Sequence, residues 1–185
     1  MIKRTPILFV LLFVGSVFVA QAATLQKRDH LTEKEVDLVK EAQVLDKRIE
    51  VFIKAAERRV MVINNSAAAN AKQLKKDSER WGELPSGTRA ELVSDIARIL
   101  DEAITNIDDV SSRDERNPLI PKALRKLAQS VNAIMAQLKP LSADAKSEAE
   151  VASFELLNED AQSILAAANR LPPEVDKKAK KNEKK

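Results

Sequence analysis

Cysteine is absent from all 185 residues. That excludes disulfide scaffolding, thiolate zinc sites, thiol nucleophiles and the lipid-modified cysteine of bacterial lipoproteins. Tyrosine is also absent and aromatics make up 3% of the chain, which argues against a β-rich fold. Glycine occurs three times, and two of these, Gly82 and Gly87, flank Pro85 with none of the pattern of a phosphate-cradling loop. Histidine occurs once, as His30. Di-iron bundles require a Glu-x-x-His motif on each of two helices, and a serine hydrolase requires a positioned base. One histidine in the segment before the first helix supplies neither, so no cofactor, metal or catalytic residue is expected.

Long apolar runs are missing too, except at the N-terminus. Lys3 and Arg4 precede an apolar stretch from Ile7 to Val14 that resumes after Gly15-Ser16 and reaches Ala20. Ala20-Gln21-Ala22 offers a small-x-small exit, and the whole reads as a secretory signal cut between Ala22 and Ala23. An uncleaved anchor is the competing reading. The apolar core, however, falls short of the ~20 residues that span a bilayer. The expected location is therefore outside the cytosol, in the periplasm or the extracellular medium. The remainder divides into one domain over residues 23–173, long enough to bury a core by packing alone, and a tail over residues 174–185.

The formal charge of +3 resides at the ends. Removing Lys3 and Arg4 with the signal leaves +1, and the tail, with six lysines and three acids, carries +3 of its own. The domain between them stands near −2, so net charge gives no reason to expect a nucleic-acid partner. Lys177, Lys178, Lys180, Lys181, Lys184 and Lys185 follow Pro172-Pro173 without apolar company and are expected to be disordered. They are candidates for contact with an anionic membrane or cell-wall polymer.

What is abundant is alanine, leucine, glutamate, lysine, arginine and glutamine, the strong helix formers. The expected fold is all-α: an antiparallel helical bundle of four principal helices, with a weaker fifth after the first. Thr32 and Glu35 make a capping box, after which Leu38, Ala42, Leu45, Ile49, Phe52, Ala56 and Ile63 recur in steps that keep one face apolar. This predicts one helix over residues 33–63, roughly 46 Å long. A break is expected at Asn64-Asn65-Ser66, followed by a thinner seam ending at Trp81. A second capping box, Thr88 and Glu91, opens the stripe Leu92, Ile96, Ile99, Ala103 and Ile107. Pro121 suits the first turn of the next helix, and after Pro140 the residue Ser142 is expected to cap the last one.

Several residues invite a chemical reading. Met61 and Met135 are haem-ligand types, but Met135 lies beside an apolar seam and reads as core filler. Asp101-Glu102, Asp108-Asp109 and Asp114-Glu115 lack the alternating ligands of a calcium loop and read as a solvated acidic face. Lys47-Arg48, Lys54 and Arg58-Arg59 form a basic strip interleaved with Asp46, Glu50 and Glu57. It reads as ordinary surface laced by pairs such as Glu50 with Lys54. Trp81, the only tryptophan, is a candidate interaction residue that also suits the end of a helical bundle.

Leu31-Thr32-Glu33-Lys34-Glu35 shares its first two residues with the Leu-Thr-x-x-Gln motif of exported envelope stress chaperones. Glutamate stands where that motif has glutamine and no second copy follows, so no residue role is carried over. The reading that remains is an exported, non-enzymatic binding or scaffold module whose partner is an envelope or secreted protein. Docking to an anionic surface through the tail, or carriage of a small ligand in the bundle interior, are the alternatives.

Overall fold

A computed structural model describes residues 28–173. The signal segment and the lysine tail lie outside the described residues. Six helices and no strands occur among those described: α1 Glu33–Glu41, α2 Leu45–Ile63, α3 Ala71–Trp81, α4 Arg89–Arg113, α5 Leu119–Ala143 and α6 Glu148–Asn169. The all-α expectation holds.

Both capping boxes form. Thr32 accepts from the Glu35 N–H while Glu35 accepts from the Thr32 N–H, and Thr88 and Glu91 repeat the exchange. Each satisfies two of the orphan donors that every helix start exposes. The break after Ile63 falls where the asparagines predicted it. Asn64 caps α2 and Asn65 adopts a left-handed φ of 51°, a conformation asparagine tolerates well.

The single helix predicted over residues 33–63 is two. Ala42-Gln43-Val44 leaves helical geometry, although none of the three is a helix breaker. The cause is distant in sequence. In a continuous helix Glu35 and Arg58 would stand about 35 Å apart; here Arg58 Nε donates to Glu35 Oε1 at 3.1 Å. The turn therefore folds α1 back along α2. A second correction concerns Pro140, which lies inside α5, so that α5 continues to Ala143 and Ser147 rather than Ser142 caps α6. Proline cannot donate to the carbonyl four residues earlier. That carbonyl belongs to Ala136, an exposed residue, and only one helical turn follows.

The core is assembled by α2, α4, α5 and α6. α4 packs on α2 and α6, and α5 packs on α2 and α6. Directions follow from the cross-pairs. Lys122 and Lys126 of α5 meet Asp46 and Glu50 of α2, so those packed helices run parallel, a correction to the antiparallel arrangement expected from short connections, which constrain only helices consecutive in the chain. Arg28 and Arg48 also reach α4, at Asp95 and Asn106. Phe52, Ile96, Ile99, Leu100, Leu127, Ile134 and Leu157 fill the centre without solvent exposure worth noting. α1 packs on α2 and α3, and α3 has no buried residue of its own. These two short helices thus form an outer layer over one side of α2.

Candidate functional site

Two features stand out from ordinary helix packing: a buried charge cluster beneath α1 and an apolar groove between α5 and α6.

The cluster centres on Glu35, which is 0% exposed, between Arg58 and Arg59, each 1% exposed. Arg59 Nη1 donates to Glu35 Oε1 at 2.8 Å, and Arg59 Nη2 lies 2.7 Å from Oε2. The Thr32 N–H donates to Oε2 at 2.9 Å, so the capping box and the ion cluster share one carboxylate. Other guanidinium donors reach backbone, while the buried Arg59 Nε has no partner among the described residues. Arg59 donates to the carbonyls of Ala55 (2.8 Å) and His30 (2.6 Å). Arg58 Nη2 donates to the carbonyls of Trp81 (3.2 Å), Gly82 (3.3 Å) and Glu83. Gly82 closes α3 at φ 65°, and a Cβ there would meet Lys34 Cγ at 3.1 Å, so glycine lets the end of α3 approach α1. One ionic cluster thereby ties together the N-terminal segment, α1, α2 and the loop after α3.

Here the basic strip departs from its surface reading. Arg58 and Arg59 are interior, Lys54 pairs with Asp77 of α3 at 3.3 Å, and Glu50 pairs with Lys47 and Lys126 rather than Lys54. A signal was present. Val51-Phe52-Ile53 is apolar around more than half the helix, so α2 had to be covered on more than one side, and polar residues on the second side had to be buried. Burial lowers the Arg58 pKa, with Glu35 opposing the shift. Asp95, 3% exposed, is pushed above the usual carboxylate range by burial, against the pull of Arg28 (2.9 Å) and Arg59. The Glu35 cluster faces protein on every side; its chemistry is that of a lock between segments.

Trp81 is half-buried, packs against the core and lies with its ring 5.7 Å beneath the Arg58 guanidinium, a cation–π contact. The six tail lysines lie outside the described residues. His30 Nε2 is 2.7 Å from Glu102 Oε2. Met135 packs against the core from the groove side. Asp108 and Asp109 are exposed, as a solvated face requires. Among the described residues no group of three or more histidine or acidic side chains is placed to hold a metal ion.

The groove was not foreseen. It is a cleft of about 530 Å³ between the C-terminal half of α5 and the N-terminal half of α6. Met135 and Val151 supply its accessible apolar surface above the buried Leu138, Phe154 and Leu157, with Lys139 and Glu155 also on its walls. Val151 is 41% exposed. Ala136, whose carbonyl Pro140 leaves without its helical donor, is also in the wall.

Together these features define an all-α protein with a charge-locked outer layer and an open apolar cleft between α5 and α6. No protein-family model, curated protein or solved structure matches the chain. No helix among the described residues is long and apolar enough to cross a membrane.

Proposed function

We propose that α2, α4, α5 and α6 form a four-helix bundle serving as an exported, non-enzymatic binding module of the cell envelope. Its binding site is the α5–α6 groove, which receives an apolar segment of an envelope or secreted protein. The observation that carries this reading is the groove itself: an apolar cleft with a partly exposed Val151 is surface left uncovered by the packing of the described residues. Lys139 and Glu155 would select for charges flanking the bound segment.

A photo-crosslinking residue at Asn158, on the groove wall, tests the reading in the native host, with Glu79 on exposed α3 as control. One defined protein captured from Asn158 and not from Glu79, and lost in Val151→Asp, is the expected result. Capture that ignores Val151→Asp would sink it. The cleft volume also lies within the range of small-molecule sites, which favours carriage of an apolar ligand as a second reading. Native mass spectrometry separates the two, since a carrier retains a bound mass that Val151→Asp releases. Deleting residues 174–185 tests the tail: retained capture with loss of surface attachment would assign the lysines to docking.

A further inference from the structure

α3 adds nothing buried to the core. It packs on α1, and its Asp77 pairs with Lys54 of α2 at 3.3 Å. What it supplies is a wall. Leu38 of α1 and Val51 of α2 are 4% and 7% exposed, yet neither belongs to the main apolar core. They line a second cleft, about 430 Å³ in volume, bounded by α1, α2 and the last turn of α3.

Trp81 stands in the side of this cleft and is half-buried. Its position is fixed from inside the protein. The buried Arg58 guanidinium lies over the ring, 5.7 Å from its centroid, and also donates to the Trp81 carbonyl at 3.2 Å. The charge lock beneath α1 thus sets the ring in place before any ligand arrives, which removes the cost of ordering a large side chain on binding.

The rim is polar and its formal charges cancel. Glu41 and Glu50 bring acceptors, and Lys47 and Arg80 bring donors. Lys47 and Glu50 already pair with each other at 3.0 Å, and Glu50 also pairs with Lys126. A simple anion or cation entering here meets repulsion as well as attraction. A neutral ligand whose groups both donate and accept meets only partners. Glu41 on α1 and Arg80 on α3 are joined by Lys47 and Glu50 on α2, so the rim offers four such groups in place of the two that an amino-acid zwitterion uses. A pyranose has the required character. Each hydroxyl donates and accepts, and the C–H groups of its ring carry the slight positive charge that an aromatic π-surface attracts.

We propose that this cleft is a saccharide-binding site, in which Trp81 is the stacking surface and Glu41, Lys47, Glu50 and Arg80 bond the hydroxyls of a neutral pyranose. Its volume is that of a small-ligand site. It shares no residue with the α5–α6 groove and does not depend on it.

The test is the intrinsic fluorescence of the purified protein, in which Trp81 is the only tryptophan. Maltotriose, cellotriose and N,N′,N″-triacetylchitotriose are titrated separately to about 20 mM, which reaches weak, millimolar affinities. A saturable change in Trp81 emission with at least one of them is expected. Glu41→Gln combined with Arg80→Gln alters only exposed positions, so the fold is retained. That variant should bind at least about tenfold more weakly, because hydrogen bonds to charged groups are the stronger kind. Lys76→Gln, on the exposed face of α3, and Val151→Asp, in the groove, should bind as the wild type does. Trp81→Leu keeps an apolar side chain without a π-surface and should give no binding heat in a calorimetric titration; should it unfold, the rim variant carries the test. No saturable change with any of the three saccharides would overturn the proposal, and so would wild-type affinity in the rim variant. Saturation by free leucine and by no saccharide would also overturn it and assign the cleft to a zwitterion.

Discussion

Replacing Glu35 by glutamine removes one charge and changes almost nothing in volume, yet it strikes the point where four segments meet. The carboxylate accepts from Arg58 Nε, Arg59 Nη1 and Nη2 and the Thr32 N–H, using both oxygens. A glutamine retains one acceptor oxygen. If that oxygen stays with Thr32, as capping-box glutamines allow, the amide NH₂ turns towards guanidinium donors; if it stays with the arginines, the helix start loses its cap. Either way at least two charge-assisted bonds are lost and two buried cations remain without a hydrogen-bonded anion. Removing one partner from a buried pair costs about 3–5 kcal/mol, a large fraction of the ~5–15 kcal/mol that stabilises a typical domain. The Arg58 and Arg59 bonds to backbone carbonyls survive and place the expected loss at the lower end, about 3 kcal/mol. Urea unfolding followed by Trp81 fluorescence reports it directly, because the only tryptophan lies 5.7 Å from the Arg58 guanidinium. The companion variant Glu35→Met, Arg58→Leu, Arg59→Met replaces the cluster by apolar side chains and should recover most of the loss. A Glu35→Gln midpoint shifted by less than about 1 kcal/mol equivalent would refute the claim that α1 is locked by charge rather than by Leu31 and Leu38.

Three further outcomes follow from named contacts. Asp160 is held at a pKa of about 6 by burial, with Asp101 and Glu159 adding repulsion. Its raised folded value makes its contribution to stability full below the unfolded carboxylate range near ~3.9 and lost as pH rises through about 6. Asp160→Asn should therefore match the wild type at acid pH and exceed it by about 1 kcal/mol above neutrality, the shift being discounted because the side chain is partly in water. Equal denaturation midpoints on both sides of that window would contradict the assignment. Leu157→Ala should cost about 2–5 kcal/mol, since Leu157 is wholly buried among α5 and α6 and its removal leaves a cavity; a calorimetric melt checks it. Thr88→Ala should cost about 1 kcal/mol by deleting the α4 cap, and hydrogen exchange should show the loss confined to the first turn of α4.

Legibility differed between elements for a physical reason. The starts of α1 and α4 were readable because a capping box is decided within four residues, and the end of α2 because asparagine tolerates the left-handed turn that stops it. Proline misled at position 140, where an exposed carbonyl and the nearness of the helix end make a missing N–H tolerable. The groove had no sequence signature, since Val151, Phe154 and Leu157 look like any apolar stripe until the neighbouring helix is seen to leave part of it open.

From sequence alone came the helical class, the positions of most helix ends and the apolar stripes of the long helices. These depend on propensity, capping and periodicity, which act over a few residues. Tertiary structure decided where a helix-compatible stretch bends and whether a charged residue is inside or out. Ala42-Gln43-Val44 turns because Glu35 and the Arg58-Arg59 pair, 23 and 24 residues apart, stabilise one another in a place water does not reach. No local preference at either end encodes that meeting; it exists only once both segments lie against the same core.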